Sequence, residues 1–192
     1  MSTDLYADEF YSKRVKYCRR APVMCQGIID MWHPKTVIDA GCALGDLVNE
    51  FINQKIDAVG IEGNNACLPY IQCPSGCIRI LDLSKKIDLG RRFSVAISLE
   101  VAEHIEEQYA DIYINNMCKF SNILVMSVCD YGETNKIHCN VKPRSYWIKK
   151  FDKKGYIQRP EKETELEDKW FSIRQAPAVK EAYRNLIIFE RA

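Results

Sequence analysis

From Thr36 onward the chain alternates short, nearly continuous apolar runs with stretches in which apolar residues recur at helical spacing. The runs are residues 36–41 (TVIDAG), 57–62 (DAVGIE), 77–83 (CIRILDL), 93–99 (FSVAISL) and 122–128 (NILVMSV). Runs apolar on both faces predict strands covered on both sides by helices, and a spacing of about 20–30 residues matches βαβ units. Between them, residues 46–53 place Leu47, Val48, Phe51 and Ile52 on one helical face, and residues 105–120 do the same with Ile105, Tyr109, Ile112, Tyr113 and Phe120. Pro143, then Tyr146, Trp147, Ile148 and Phe151, then Gly155, reads as a helix with a proline at its first turn and a glycine stop. Residues 184–191 read as a last buried strand. The pattern predicts an α/β chain: a doubly wound, mostly parallel, seven-stranded Rossmann-like sheet with helices on both faces.

At 192 residues, 47% apolar and 28% charged, the chain has material for one core. We therefore expect a single domain over 1–192, with a helical segment over 1–33 that packs across the carboxyl end of the first strand and a sheet core over 36–192. No stretch approaches the length of a membrane-spanning helix, and the N-terminus lacks a basic end followed by an apolar run, so a soluble, cytoplasmic protein with no membrane partner is expected. The formal charge is +1, from 27 basic and 26 acidic residues, so an anionic partner would have to be held by a local patch. Lys13, Arg14, Lys16, Arg19 and Arg20 form such a run; it reads as a solvated helix face or as a phosphate-reading patch for RNA. Tyr6, Phe10 and Tyr11 ahead of it could form an apolar lid. Nine cysteines with no repeating frame suggest reduced thiols, and the one close pair, Cys73 and Cys77, lacks the second pair that a structural zinc needs.

The chemistry starts in the turn after the first run, Asp39-Ala40-Gly41-Cys42-Ala43-Leu44-Gly45-Asp46. Small residues there let a ligand approach the backbone, and Glu62, 21 positions after Gly41 at the end of the second run, can accept both hydroxyls of a ribose. The ligand expected is an adenosine-containing cofactor. The dinucleotide pattern GxGxxG would need glycine at 43 and 46, where Ala43 and Asp46 stand, and Asp39 and Asp46 would repel a pyrophosphate. A cationic, phosphate-free nucleoside, S-adenosylmethionine, fits this turn better. No P-loop pattern occurs.

These motifs resemble the class I S-adenosylmethionine-dependent methyltransferases, in the broad group of small-molecule and glycan O-methyltransferases, over roughly residues 36–130 and more weakly to 156. The family's first motif is matched by Asp39, Gly41, Ala43 and Gly45, with alanine at the middle glycine. The resemblance implies that Glu62 takes the ribose diol, that Asp82 faces the adenine amine with Leu83 beside it, and that Leu99 and Glu100 lie near the methionine part. It excludes several acceptors. The [DNS]PP[YFW] motif of adenine amino-methyltransferases is replaced by Ser98-Leu99-Glu100-Val101, no Pro-Cys pair for cytosine C5 chemistry occurs, and the catalytic tetrad of cap-type ribose enzymes is incomplete.

The fourth run leads into Glu100-Val101-Ala102-Glu103-His104, with His138 34 residues further on. Glu100, Glu103, His104 and His138 could hold a divalent metal that acidifies an acceptor hydroxyl. This resembles the site of the family that methylates the ribose at small-RNA 3′ ends, though EVxEHI also leads into a helix in metal-free enzymes. Without a metal, His138 is the expected general base with His104 beside it, and residues 138–147 resemble acceptor-side segments of glycan and small-metabolite O-methyltransferases. The expected activity is methylation of a small-molecule or glycan hydroxyl. The alternatives are a metal-dependent RNA ribose 2′-O-methyltransferase and a non-catalytic cofactor-binding subunit.

Overall fold

The computed structural model describes residues 8–129, 138–176 and 179–192. Three short helical segments come first: α1 (Asp8–Arg14), a 3-10 segment (Val15–Arg20) and α2 (Ala21–Trp32). The core then runs β1 (Thr36–Ala40), α3 (Asp46–Asn53), β2 (Asp57–Glu62), β3 (Ile78–Ile80), β4 (Val95–Leu99), α4 (Ala110–Phe120), β5 (Ile123–Ser127), α5 (Arg144–Asp152), β6 (Tyr156–Gln158), α6 (Pro160–Trp170), α7 (Lys180–Arg184) and β7 (Leu186–Arg191). The seven strands lie in the order β3-β2-β1-β4-β5-β7-β6. β1 to β5 pair in parallel, while β7 runs antiparallel to both β5 and β6. The expected sheet is present, with an antiparallel edge that the run spacing did not announce.

The continuous apolar runs have the reason assigned to them. Along each central strand, neighbouring residues point to opposite faces, and both faces are dry. Ile38, Ala96, Leu124, Met126, Ile187 and Phe189 pack beneath α4 and α5 with Tyr113, Trp147 and Phe151. Val37, Ile97, Val125 and Ile188 pack beneath α2, α3 and α6 with Ile28, Phe51, Leu166 and Trp170. Gly27 of α2 admits Trp170 of α6: a Cβ at Gly27 would lie 2.9 Å from Trp170 Nε1, which donates to the Met24 carbonyl at 3.1 Å.

The differences from the sequence expectations are local. The third strand closes at Ile80 instead of residue 83, because Asp82 Oδ1 accepts from Ser84 N at 2.8 Å and turns the chain. The helix anticipated from Ile105 starts at Ala110, since Ile105 is extended and residues 107–109 form a separate turn. Pro143 sits one residue ahead of α5 as its cap, and Gly155 is left-handed at φ 77° as a glycine stop should be. β6 and α6 carry no strong apolar periodicity, and pairing with β7 and burial of Leu166 and Trp170 decide them. Among the described residues no helix is long and apolar enough to cross a membrane.

Candidate functional site

In the strand order β3-β2-β1-β4-β5 the chain reverses direction across the sheet between β1 and β4, and the carboxyl ends of these two strands open the crevice where open α/β sheets bind ligands. β1 delivers Asp39 and the turn after it. Gly41, Ala43 and Gly45 all have positive φ (92°, 49° and 72°). A Cβ at Gly41 would stand 2.3 Å from Val101 Cγ2, and one at Gly45 2.8 Å from Ile78 Cδ1, so glycine at both positions is a steric requirement. The loop after β4 packs directly on the loop after β1. Ser98 Oγ fastens the two strands by donating to the Ala40 carbonyl at 2.8 Å, and it accepts from Tyr113 Oη at 2.9 Å.

Glu62, at the end of β2, faces this turn. Its Oε2 accepts from Ala43 N at 3.0 Å; its Oε1 accepts from Asn64 N at 3.0 Å and from Tyr11 Oη at 3.3 Å. Burial pushes the carboxyl upward and these donors pull it back. Asp39 is buried, and desolvation together with the charge of Asp46 pushes it up to about 7. Two cations answer these acids. Arg20 pairs with Asp46 at 3.4 Å, with only 8% and 7% of the two side chains exposed. Arg14, half-buried, stacks its guanidinium 5.4 Å from the Phe10 ring; burial and Arg20 lower it while Asp46, Glu62 and Asp39 pull it up.

This corrects the reading of the basic run as one outward surface. Lys13, Lys16 and Arg19 are exposed, but Arg20 is buried and Arg14 leans towards the acids of the turn. The run alternates because it spans α1 and a 3-10 segment instead of one regular helix. Two of the three aromatic residues expected to form a lid lie among those whose packing is described. Tyr11, 1% exposed, packs with Ala43, Leu44 and Cys67, with Phe10 against the same cluster. Tyr6 lies outside the described residues. Arg14 and Arg20 are the site residues that sequence reasoning missed; the signal available was five cations spaced to face a turn that carries two aspartates.

The other expected ligand residues differ in how they are placed. Asp82 is half-buried, and its carboxyl, although desolvation opposes this, is held below its usual range by Ser84. Leu83 is buried in the core under α4, where its carbonyl accepts from Asn116 Nδ2 at 3.1 Å. Leu99 is half-buried at the end of β4. Glu100 takes a left-handed backbone (φ 55°), with its N–H shared between the carbonyl and Oγ of Ser127 at 3.1 and 2.9 Å.

Beside it, Glu103, His104 and His138 converge. One ligand atom from each lies within 4.8 Å of the others, and the two imidazoles meet edge to face at 4.7 Å between centroids. The convergence has a backbone cause. The Glu103 carbonyl accepts from both Cys139 N and Asn140 N at 3.0 Å, which clamps the end of the β5–α5 connection onto the turn after β4 and brings His138 to His104. The Glu103 side chain is 1% exposed, and neither carboxylate oxygen has a hydrogen-bond partner. Burial and the adjacent Glu100 push it up to about 9. Glu100 itself does not join the cluster expected from sequence: Asn185 Nδ2 donates to its Oε1 at 3.4 Å. Cys73 and Cys77 are free thiols outside any metal-binding group of the described residues, and burial raises Cys73 to about 11.

No protein-family model matches the chain, and no curated protein matches it in sequence. Solved structures match in fold. Magnesium protoporphyrin IX methyltransferase from Synechocystis PCC 6803, crystallised with bound SAH, superimposes with a TM-score of 0.59 at 17% identity, covering 78% of each chain. The methyltransferase domain of bacterial CtHen1 superimposes at 0.56 and 18% identity, covering 76% of this chain and 88% of that one. The [4+2]-cyclase SpnF gives 0.59 at 11% identity over 88% of this chain and 81% of its own. Against Streptomyces venezuelae DesVI the present chain spans 59% of the neighbour's length, with a TM-score of 0.53. With its seven strands in this order, its reversed edge and its glycine turn after β1, the chain has the fold of the class I S-adenosylmethionine-dependent methyltransferases.

Proposed function

We propose that the chain transfers a methyl group from S-adenosylmethionine to an acceptor hydroxyl, and that Glu103, His104 and His138 hold a divalent ion at which that hydroxyl binds. The convergence of these three side chains carries the reading. A buried carboxylate with no well-formed hydrogen bond on either oxygen, beside two imidazoles, is a costly arrangement for a protein to keep unless something cationic satisfies it. Two nitrogens and one carboxylate suit a divalent transition metal, and three protein ligands leave coordination positions open. Such an ion supplies acidity to a bound hydroxyl.

The donor's place is argued from the β1 and β2 turns. The cradle at Gly41 and Gly45 excludes side chains, Glu62 presents a carboxylate to a ribose diol, and Asp82 lies at the adenine end with Leu83 forming the apolar wall behind it. Asp39, near the end of β1, leads into the turn, while Leu99 and Glu100 border the methionine part. Tyr11, whose hydroxyl donates to the Glu62 carboxylate at 3.3 Å, covers that carboxylate and excludes water from its side. Methyl transfer is an in-line displacement at a sulfonium, so the residues have two tasks: to align donor and acceptor, and to take the acceptor's proton. With the ion bound, His138 and His104 serve as its ligands and the acidified hydroxyl gives up its proton to solvent; without it, His138, held edge to face against His104, is the proton acceptor.

The acceptor is a small-molecule or glycan hydroxyl, as the likeness of residues 138–147 to such enzymes suggests. A second reading, the ribose 2′-hydroxyl of RNA, is favoured by the same convergence, because Glu100-x-x-Glu103-His104 with a later histidine resembles the small-RNA 3′-end enzymes. One experiment addresses both. Purified chain is incubated with methyl-tritiated S-adenosylmethionine and either a glycan panel, an RNA oligonucleotide or the same oligonucleotide ending in a 2′-deoxyribose, with and without a chelator. Chelator-sensitive transfer to a hydroxyl supports the reading, and loss of RNA labelling with the deoxy end selects the ribose. Transfer that ignores the chelator removes the metal, and no transfer to any acceptor leaves a cofactor-binding subunit.

A further inference from the structure

At the opposite end of the sheet, away from the glycine turn, α4, the chain shortly before β4, the start of β6 and the last residue of β7 line a cavity of about 450 Å3. Its charged lining is entirely basic: Lys86, Arg92, Lys119, Lys154 and Arg191, from five separate segments, with no aspartate or glutamate among the lining residues. None of these five takes part in the ion pairs of the described residues, although acids and bases nearly balance over the whole chain at a net charge of +1. Five cations around one concavity repel each other, a cost that an anion would relieve.

The floor of the cavity is rigid. The Arg92 guanidinium is pinned by the carbonyls of Cys118 and Lys119 (3.1 and 3.0 Å) and by Asn122 Oδ1 at 2.5 Å, so the last turn of α4 holds it in place. Tyr156 Oη donates to the carbonyls of Cys118 and Ser121 at 2.9 and 2.6 Å and ties β6 to the same turn. The lysines and Arg191 rise around this fixed base and are exposed. The volume lies in the range of small-ligand sites, too small for a folded partner and large enough for a chain of two or three phosphates. Guanidinium and ammonium donors on a preorganised floor match phosphate oxygens.

We propose that this cavity binds phosphate groups, two or more on one ligand, at a site separate from the methyl-transfer crevice. Free polyphosphate and a nucleic-acid strand share that chemistry, so the test uses both: calorimetric titration with inorganic tripolyphosphate and anisotropy with a labelled single-stranded RNA, each at two salt concentrations. The variant Lys119→Glu with Lys154→Glu reverses two of the five charges on exposed positions, and Lys55→Glu with Arg79→Glu makes the same change in net charge at exposed positions on the β2–β3 side of the sheet. We expect salt-sensitive binding of at least one probe, weakened tenfold or more by the first pair and less than twofold by the second. Loss for tripolyphosphate marks a free anion as the ligand, and loss for RNA alone marks the strand. Absence of binding by both probes, or equal weakening by the two pairs in variants with unchanged thermal midpoints, overturns the proposal.

Discussion

Glu62 and Glu103 sit at the same edge of one sheet, both deprived of water, and differ in their company. Glu62 receives two backbone N–H groups and a tyrosine hydroxyl. Glu103 has neither oxygen in a well-formed hydrogen bond, and burial with the adjacent Glu100 pushes it up to about 9 against a weaker pull from the backbone of Glu103 and Cys129. In the first half of the crevice Glu62 is matched by donors and Asp46 by Arg20, and Asp39, which burial and Asp46 push up to about 7, is the exception. The second half keeps an unmatched acid beside two imidazoles. A matched acid stabilises the fold whatever its function, whereas an unmatched one costs stability and is best explained by a ligand it awaits.

The contrast can be broken most sharply at its unmatched side. His138→Ala is expected to lower turnover about a hundredfold or more while the dissociation constant for S-adenosylmethionine, measured by calorimetry, stays the same. Glu103→Gln should do likewise and should also abolish binding of a divalent ion in a direct titration, with no loss of thermal stability because burial and Glu100 already disfavour the charged carboxylate. A fall in stability in place of lost metal binding would make Glu103 a structural residue. On the matched side, Gly41→Ala should destabilise the fold by about 2 kcal/mol or more in urea, since its Cβ meets Val101 and its φ stays at 92°.

Smaller effects sharpen the same picture. Glu62→Ala is expected to weaken S-adenosylmethionine binding at least tenfold, roughly the worth of one charge-assisted hydrogen bond; an unchanged constant would remove Glu62 from the ribose site. Asp39→Asn should stabilise the ligand-free protein in a pH-dependent way. The folded carboxyl titrates at about 7 against 3.8 when unperturbed, so the unfolded chain releases its proton first and wild-type stability falls as pH rises between those values. The gain in thermal midpoint from Asp39→Asn should grow across that interval and level off above about pH 7 at a few degrees, about 1 kcal/mol or more. A gain independent of pH would show that the buried charge is not its source.

The sheet and the glycine turn after β1 were legible in the residues alone. Five apolar runs with helical stretches between them leave one economical packing, and Gly41, Gly45 and Glu62 announce themselves because a left-handed bend and a strand-end acid are local requirements, visible within about 25 residues. The antiparallel β6–β7 edge, the inward turn of Arg14 and Arg20, the separation of Glu100 from the Glu103–His104–His138 group and the cationic cavity were decided only in three dimensions. Each depends on partners far apart in the chain: Glu190 opposite Ile123, Arg20 beside Asp46, the Glu103 carbonyl catching Asn140, Lys86 and Arg191 lining one cavity. Local pattern fixes what a segment is; only the closed fold fixes which charges it meets.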